Sequence, residues 1–271
     1  MIPLKDDNPT QSRAFVTLLL IAVNVAVFVL FQPHGNSTAI VKLPAPKSFA
    51  PTPQTETPFL YARAAVPCEI VQRRPLRVAE LRQRGTDACN TAAPVGTVER
   101  RAYFPQKSVL LSIVTSMFLH GGWLHLGGNM LFLWIFGNNI EDRFGRLRYL
   151  LFYLTAGIVA TLTHAFVAFK STIPLVGASG AIAGVMGAYF VLYPKVRIRT
   201  IVFIGIPLAP RIPAWAMLGF WFVSQFFVAP SAGVAWVAHV GGFVFGAVVG
   251  LFVRRFDHRR LRAVPRWSTA G

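Results

Sequence analysis

Residues 14 to 32 read AFVTLLLIAVNVAVFVLFQ, an uncharged run that follows Arg13. At 1.5 Å per residue, a helix of that length crosses roughly 30 Å of hydrocarbon, so the run predicts a membrane span. It is longer than the core of a secretory signal and lacks a small-x-small cleavage site. Both signs of charge precede it, in Lys5, Asp6, Asp7 and Arg13,. The expectation is an uncleaved first transmembrane helix.

The rest of the chain agrees with that solvent. Hydrophobic residues make up 54% and charged residues 14% of the 271 positions, whereas charged residues alone reach about 25% of a soluble domain. The formal charge of +17 raises nucleic acid as a partner, but its arginines sit in short tracts between apolar runs rather than on one water-exposed face. Anionic lipid headgroups are the expected counter-charge, and no nucleic-acid partner is expected.

Further apolar runs follow. Residues 108 to 119 are too short to span and fit an interfacial or re-entrant segment. Runs at 123 to 140, 149 to 169, about 178 to 193, about 213 to 229 and about 234 to 253 supply five more spans,. The piece from Ile201 to Pro213 is apolar but broken by Gly205, Pro207, Pro210 and Pro213, and is expected at the interface. The predicted fold is an all-α, polytopic bundle of six transmembrane helices.

Basic residues orient it. Arg143, Arg146 and Arg148 follow the second span, Lys195, Arg197 and Arg199 the fourth, and the tail from Arg254 to Arg266 is basic, while Ala229 to Gly233 carries no charge. The bias of short basic loops puts both termini in the cytoplasm, and the expected location is a bacterial inner membrane. Residues 1–13 are then a cytoplasmic N-terminus, 14–32 the first transmembrane helix, 33–107 an extracytoplasmic loop or small subdomain, 108–253 the helix bundle and 254–271 a basic cytoplasmic tail.

The 33–107 segment has a different composition. Between Gln32 and Lys107 lie 11 of the 27 basic residues, 5 of the 10 acidic ones and both cysteines, which marks it as water-exposed. Pro44 to Pro58, PAPKSFAPTPQTETP, is interrupted by prolines and reads as extended or disordered,. Cys68 to Arg101 has room for a short helix. Cys68 and Cys89 can pair in an oxidising compartment or remain two free thiols, and the sequence leaves both open. No metal site is expected, since neither cysteine has a Cys-x-x-Cys or histidine neighbour.

Polar side chains inside spans are costly, so those that remain mark function. Three groups stand out: FLHGGWLHLGGNM from Phe118, PLVGASGAIAGVMG from Pro174, and AHVGGFVFGAVVG from Ala238. They carry His120, His125 and Asn129, then Ser179, then His239, each near the start of an even-numbered span and so at one depth. Gly180, Gly184 and Gly187 in one helix, and Gly242, Gly246 and Gly250 in the other, allow close backbone approach. Taken alone, Ser179 reads as packing, and His239 and Asn129 as interhelical hydrogen bonders. Together they fit acyl transfer: a serine nucleophile, a histidine base, and donors for the developing oxyanion from Asn129, His125 and the Ser179 backbone N–H. Gly177 leaves room for substrate backbone, and His120 is assigned to structure. No carboxylate lies at that depth, so a Ser-His dyad is expected, its imidazole oriented by packing and backbone. No cofactor is needed for this chemistry.

His120 through Met130 spells HGGxxHxxxNM, Gly177 to Gly180 spells Gly-x-Ser-Gly, and Ala238, His239, Gly242 and Gly246 complete an Ala-His-x-x-Gly and Gly-x-x-x-Gly pattern. In this order the chain resembles the rhomboid family of intramembrane serine proteases, over about Val109 to Val253 plus an additional first span. The resemblance implies that Ser179 is the nucleophile and His239 the base, with Asn129, His125 and the Ser179 N–H as oxyanion hole. It also implies structural support from His120, Gly180, Gly242 and Gly246, and transmembrane protein substrates that enter past the fifth span. The alternative is a non-catalytic rhomboid-like binder of single-span client proteins. Two departures stand out: the Trp-Arg pair of many relatives is absent from the first loop, and the aromatic often found four residues after the serine is Ala183.

Overall fold

The computed structural model describes residues 1–33, 56–204, 206–229 and 233–263. The chain is predominantly helical. Helix α1, Phe15–Ala26, runs on as a π-helical turn over Val27–Phe31. Three short helices follow, α2 at Glu56–Arg63, α3 at Pro67–Gln72 and α4 at Val78–Gln83. The bundle itself is α5 at Val109–Thr115, α6 at Trp123–Phe144, α7 at Arg146–Val167, α8 at Ser179–Leu192, α9 at Ala214–Gln225 and α10 at Trp236–Ala263. Arg146–Val167 and Trp236–Phe256 are each long and apolar enough to cross a membrane. The α5 segment, through Phe118, and α6 meet that test as a pair bent by 81°, while Phe15–Phe31 and Ser179–Leu192 are apolar but shorter. The bend fits the re-entrant reading of 108 to 119.

Helix α8 is the axis. Every residue from Gly180 to Tyr189 is buried, as expected of a helix hydrophobic all round and wrapped by others. Leu133 and Phe136 of α6, Tyr149 and Tyr153 of α7, and Met217 and Leu218 of α9 complete the core around it. The contact with α10 is backbone on backbone. A methyl group placed on Gly246 would sit 1.8 Å from the Gly184 carbonyl oxygen and one on Gly242 2.1 Å from the Gly180 oxygen; on the α7 side, one on Gly180 would sit 2.7 Å from the Ala160 Cβ. Gly246→Val is therefore expected to cost about 3 kcal/mol, at the upper end for overpacking, read as a lowered Tm in detergent. An unchanged Tm would mean that the helices are not in this contact.

The all-α expectation needs correction at the end of α8 remote from Ser179. Strand β1, Ile2–Asp6, pairs antiparallel with β2, Arg197–Ile204, in a register that sets Ile2 against Ile201 and Asp6 against Ile198. Strands β3, Ile206–Leu208, and β4, Arg211–Pro213, also pair with β2. The segment expected at the interface is thus mostly sheet. The reason lies in Arg197-Ile-Arg-Thr-Ile-Val-Phe-Ile, whose β-branched residues favour a pleated surface, with prolines confined to the short outer strands,. Asp6 is buried and accepts hydrogen bonds from Tyr189 Oη and Asn139 Nδ2, both at 2.6 Å, which ties the sheet to α8 and α6. Glu141 accepts from the Val16 and Thr17 amides at 2.9 and 2.7 Å, capping the first turn of α1,.

The other end carries a small disulfide-bonded unit. Cys68 and Cys89 are joined, and around them Tyr61, Val66, Leu76, Val78, Leu81 and Tyr103 form a separate core. Two buried carboxylates organise it. Glu80 takes hydrogen bonds from Arg74 at 2.7 and 2.8 Å and from the Arg77 and Asn90 amides, both at 2.8 Å. Burial opposes ionisation there, but these donors hold its carboxyl below the ordinary glutamate range,. Glu69 pairs with Lys107, whose ammonium also donates to the Tyr61 and Ala64 carbonyls at the end of α2,. Burial pushes the Glu69 carboxyl up and the Lys107 ammonium down, and their mutual attraction opposes both. Most of the Pro44 to Pro58 stretch lies outside the described residues, though its end is helical in α2.

Four backbone hydrogen bonds fasten this unit to the loop between α7 and α8. They run from Cys68 to Ser171, Cys89 to Lys170, Thr172 to Gly85 and Leu175 to Ala65, at 2.7 to 3.0 Å. Closing the loop between two cysteines 21 positions apart is worth roughly 3 kcal/mol in chain entropy,. Cys68→Ser with Cys89→Ser is expected to raise proteolytic nicking within 56–107 while α6 to α10 stay resistant. Equal protection with and without the bridge would contradict this.

Candidate active site

Three helix starts converge. Helix α6 begins after Gly122, α8 at Ser179 and α10 at Trp236, so the first turn of each faces the same end of the bundle. The glycine contacts between α8 and α10 leave no side chain to separate Ser179 from His239. Ser179 Oγ lies 2.8 Å from His239 Nε2, the distance of a hydroxyl donating to an imidazole nitrogen,. Both residues are only partly buried, so the pair is reachable.

The other face of the imidazole is also held. His239 Nδ1 is 2.8 Å from Gln225 Oε1 at the end of α9, and the Trp221 ring lies against it with centroids 5.7 Å apart. This corrects the expectation that packing and backbone alone orient the histidine. The aromatic missing at Ala183 has a counterpart, but it comes from α9. Sequence reasoning missed both residues because a tryptophan in an apolar span reads as an interface anchor or packing, and Gln225 lies as a single amide within the apolar run of 213 to 229,. The available signal was their spacing of four, which places them on one helix face.

Gly177 sits where α6 and the α7–α8 loop meet. Its φ of +118° is a conformation that L side chains rarely adopt,. A methyl there would lie 2.8 Å from His125 Cε1, 2.9 Å from His125 Nε2 and 3.6 Å from Asn129 Nδ2. Asn129 is buried, and its Nδ2 has no hydrogen-bond partner among the described residues. His125 Nδ1 accepts from the Gly121 amide at 3.2 Å, so the ring proton is on Nε2, the nitrogen facing Gly177. The Ser179 N–H opens α8 and needs no partner within the helix. Donors thus meet beside the serine, around a space that a glycine keeps open.

His120 is fully buried, its ring edge-on to His125 at 5.3 Å. The Gln32 side chain brackets its peptide, accepting from His120 N at 3.0 Å and donating to His120 O. Gly180, Gly242 and Gly246 lie in the α7–α8–α10 contacts given above. Glu141 and Asp142, at the far end of α6, bond residues 11 to 17 and take no part at this site.

The serine–histidine pair lies at one end of a glycine-packed helix bundle, two of whose helices are long and apolar enough to cross a membrane. The Rhomboid domain model matches residues 107–256, more than half of the chain, and the chain belongs to the rhomboid family. It is 31% identical over 170 residues to "Rhomboid protein 1, mitochondrial" of Saccharomyces cerevisiae, covering 58% of this chain and 47% of that protein. To "RHOMBOID-like protein 6, mitochondrial" of Arabidopsis thaliana it is 26% identical over 261 residues, 92% of this chain and 72% of the relative. To "Rhomboid protease GluP" of Bacillus subtilis it is 45% identical over 76 residues, 28% of this chain and 14% of the relative. The chain spans about half the length of the yeast relative. A bacterial inner membrane, with both termini cytoplasmic, was the sequence-based expectation. The similarity to mitochondrial rhomboid proteins along most of the chain overturns that placement, while the integral membrane character stands.

Proposed function

We propose that this chain is an intramembrane serine endopeptidase that hydrolyses peptide bonds in or near transmembrane segments of membrane-anchored proteins. The observation that carries the proposal is the 2.8 Å contact between Ser179 Oγ and His239 Nε2, at one end of the bundle in a family of intramembrane proteases. Six spans are proposed for the full bundle, with α8 and α9 too short to cross a full-thickness bilayer alone. The names of two relatives favour a mitochondrial membrane.

The chemistry follows from the donors and acceptors present. Ser179 Oγ attacks the scissile carbonyl carbon while its proton passes to His239 Nε2. The carbonyl oxygen becomes an oxyanion, met by Asn129 Nδ2, His125 Nε2–H and the Ser179 N–H. His239 then gives its proton to the leaving amine, and water hydrolyses the acyl-enzyme by the reverse route. The scissile segment must first leave its helix, because a helical carbonyl is already hydrogen-bonded and shielded.

The test is direct. Purified protein should be labelled by a fluorophosphonate and should cleave a single-span reporter in liposomes. Protein that stays folded, resists the label and leaves the reporter intact would overturn the reading.

A further inference from the structure

A serine–histidine pair does not by itself determine which imidazole nitrogen carries the proton. General-base catalysis needs the proton on Nδ1, so that Nε2 offers a lone pair to the serine. Gln225 meets that requirement through its own anchoring. Its Nε2 lies 3.0 Å from the Trp221 carbonyl oxygen and 3.3 Å from Ser224 Oγ, and its Oε1 lies 2.8 Å from His239 Nδ1. A flipped amide would set its oxygen against the Trp221 oxygen with no proton between them, so one orientation alone satisfies both ends. In that orientation an acceptor faces Nδ1, and Nδ1 must be the protonated nitrogen. Gln225 is also buried, at 6% exposure, where an unpaired amide oxygen would be costly.

We propose that Gln225 is the positioning residue of the base: it selects the Nδ1–H tautomer of His239 and aims Nε2 at Ser179, with Trp221 as the surface on which the ring rests. The proposal depends on Ser179 and His239 being the catalytic pair. The hydrogen bonds of the Gln225 side chain go to Trp221, Ser224 and His239, so it acts on Ser179 through the imidazole. Being neutral, it sets the tautomer without the charge that a carboxylate would add to favour the imidazolium.

The experiment compares wild type, Ser179→Ala, Gln225→Leu and Gln225→Glu, by fluorophosphonate labelling rate and by kcat, KM and the pH profile on a single-span reporter. Gln225→Leu, similar in volume but without an acceptor, is expected to lower kcat by about 10²-fold with KM within twofold. That is less than the roughly 10⁴-fold known for losing a carboxylate orienter, since a neutral acceptor holds the tautomer less firmly. Gln225→Glu is expected to recover most of kcat and to move the acid limb of kcat/KM to higher pH, because a carboxylate beside Nδ1 favours the protonated ring. Purely structural support would not move that limb.

Three outcomes overturn the proposal. One is a Gln225→Leu enzyme whose kcat is within twofold of wild type while wild type labels and Ser179→Ala does not. A second is Gln225→Glu with an unmoved acid limb, which also decides the matter if Gln225→Leu does not fold. The third is a folded wild type that fails to label, which removes the catalytic reading and this proposal with it.

Discussion

Ser179→Ala is expected to reduce reporter cleavage and fluorophosphonate labelling by at least about 10⁴-fold, with Tm and detergent elution unchanged. The loss should be that large because, in the proposed mechanism, the hydroxyl donating to His239 Nε2 is the atom that forms the acyl bond. Stability should be spared because the side chain is not the cap of α8, whose N-cap position is Ala178. His239→Ala should be equally inactive, and the double variant no worse than either single one, since residues that act as a unit lose their function together. Cleavage retained in either single variant, or labelling of another serine in Ser179→Ala, would remove the dyad from the mechanism. Activity and Tm should be measured on the same preparation, so that misfolding is separated from lost chemistry.

For Asn129→Ala the expected result is a drop in kcat of about 10²- to 10³-fold, the range for deleting one oxyanion donor, with KM unchanged. The stability readout makes this prediction specific. Asn129 Nδ2 is buried without a hydrogen-bond partner among the described residues, an arrangement that normally costs stability. Replacing it with a methyl group should leave Tm unchanged or raise it while activity falls. A residue kept for packing would behave in the opposite way, with a lower Tm and activity reduced only in proportion to the folded fraction. The second pattern would take Asn129 out of the oxyanion site.

What was legible in the sequence follows the range over which each feature is encoded. The helices could be read from their runs: Arg146–Val167 and Trp236–Phe256 announce themselves by length, and 108 to 119 by being too short. The glycine rows in α8 and α10 foretold contact because nothing but backbone can fill the space at Gly184 and Gly246. The strands escaped because β1 pairs with residues almost 200 positions away, with no hairpin signal to announce it. The cysteines carried too little information, since two thiols allow both a bond and none. Gln225 was overlooked for a different reason. A single amide within the apolar run of 213 to 229 gave no sign of its partner, which became evident only once α9 and α10 were folded together. Charge bias between loops speaks to sidedness and is silent on which membrane holds the chain.

Helix α9 is twelve residues long, and much of it is bare, with Trp215, Phe220 and Val223 all more than half exposed. On the proposed role of Gln225, the readiness of the base and the position of this helix become a single variable. A sideways slip of α9 of an ångström or two would withdraw the amide oxygen and the indole from His239 while Ser179 and the glycine-locked pair α8–α10 stayed where they were. On the proposed function, the enzyme would rest disarmed without any rearrangement of its nucleophile, its idle state set by where α9 lies.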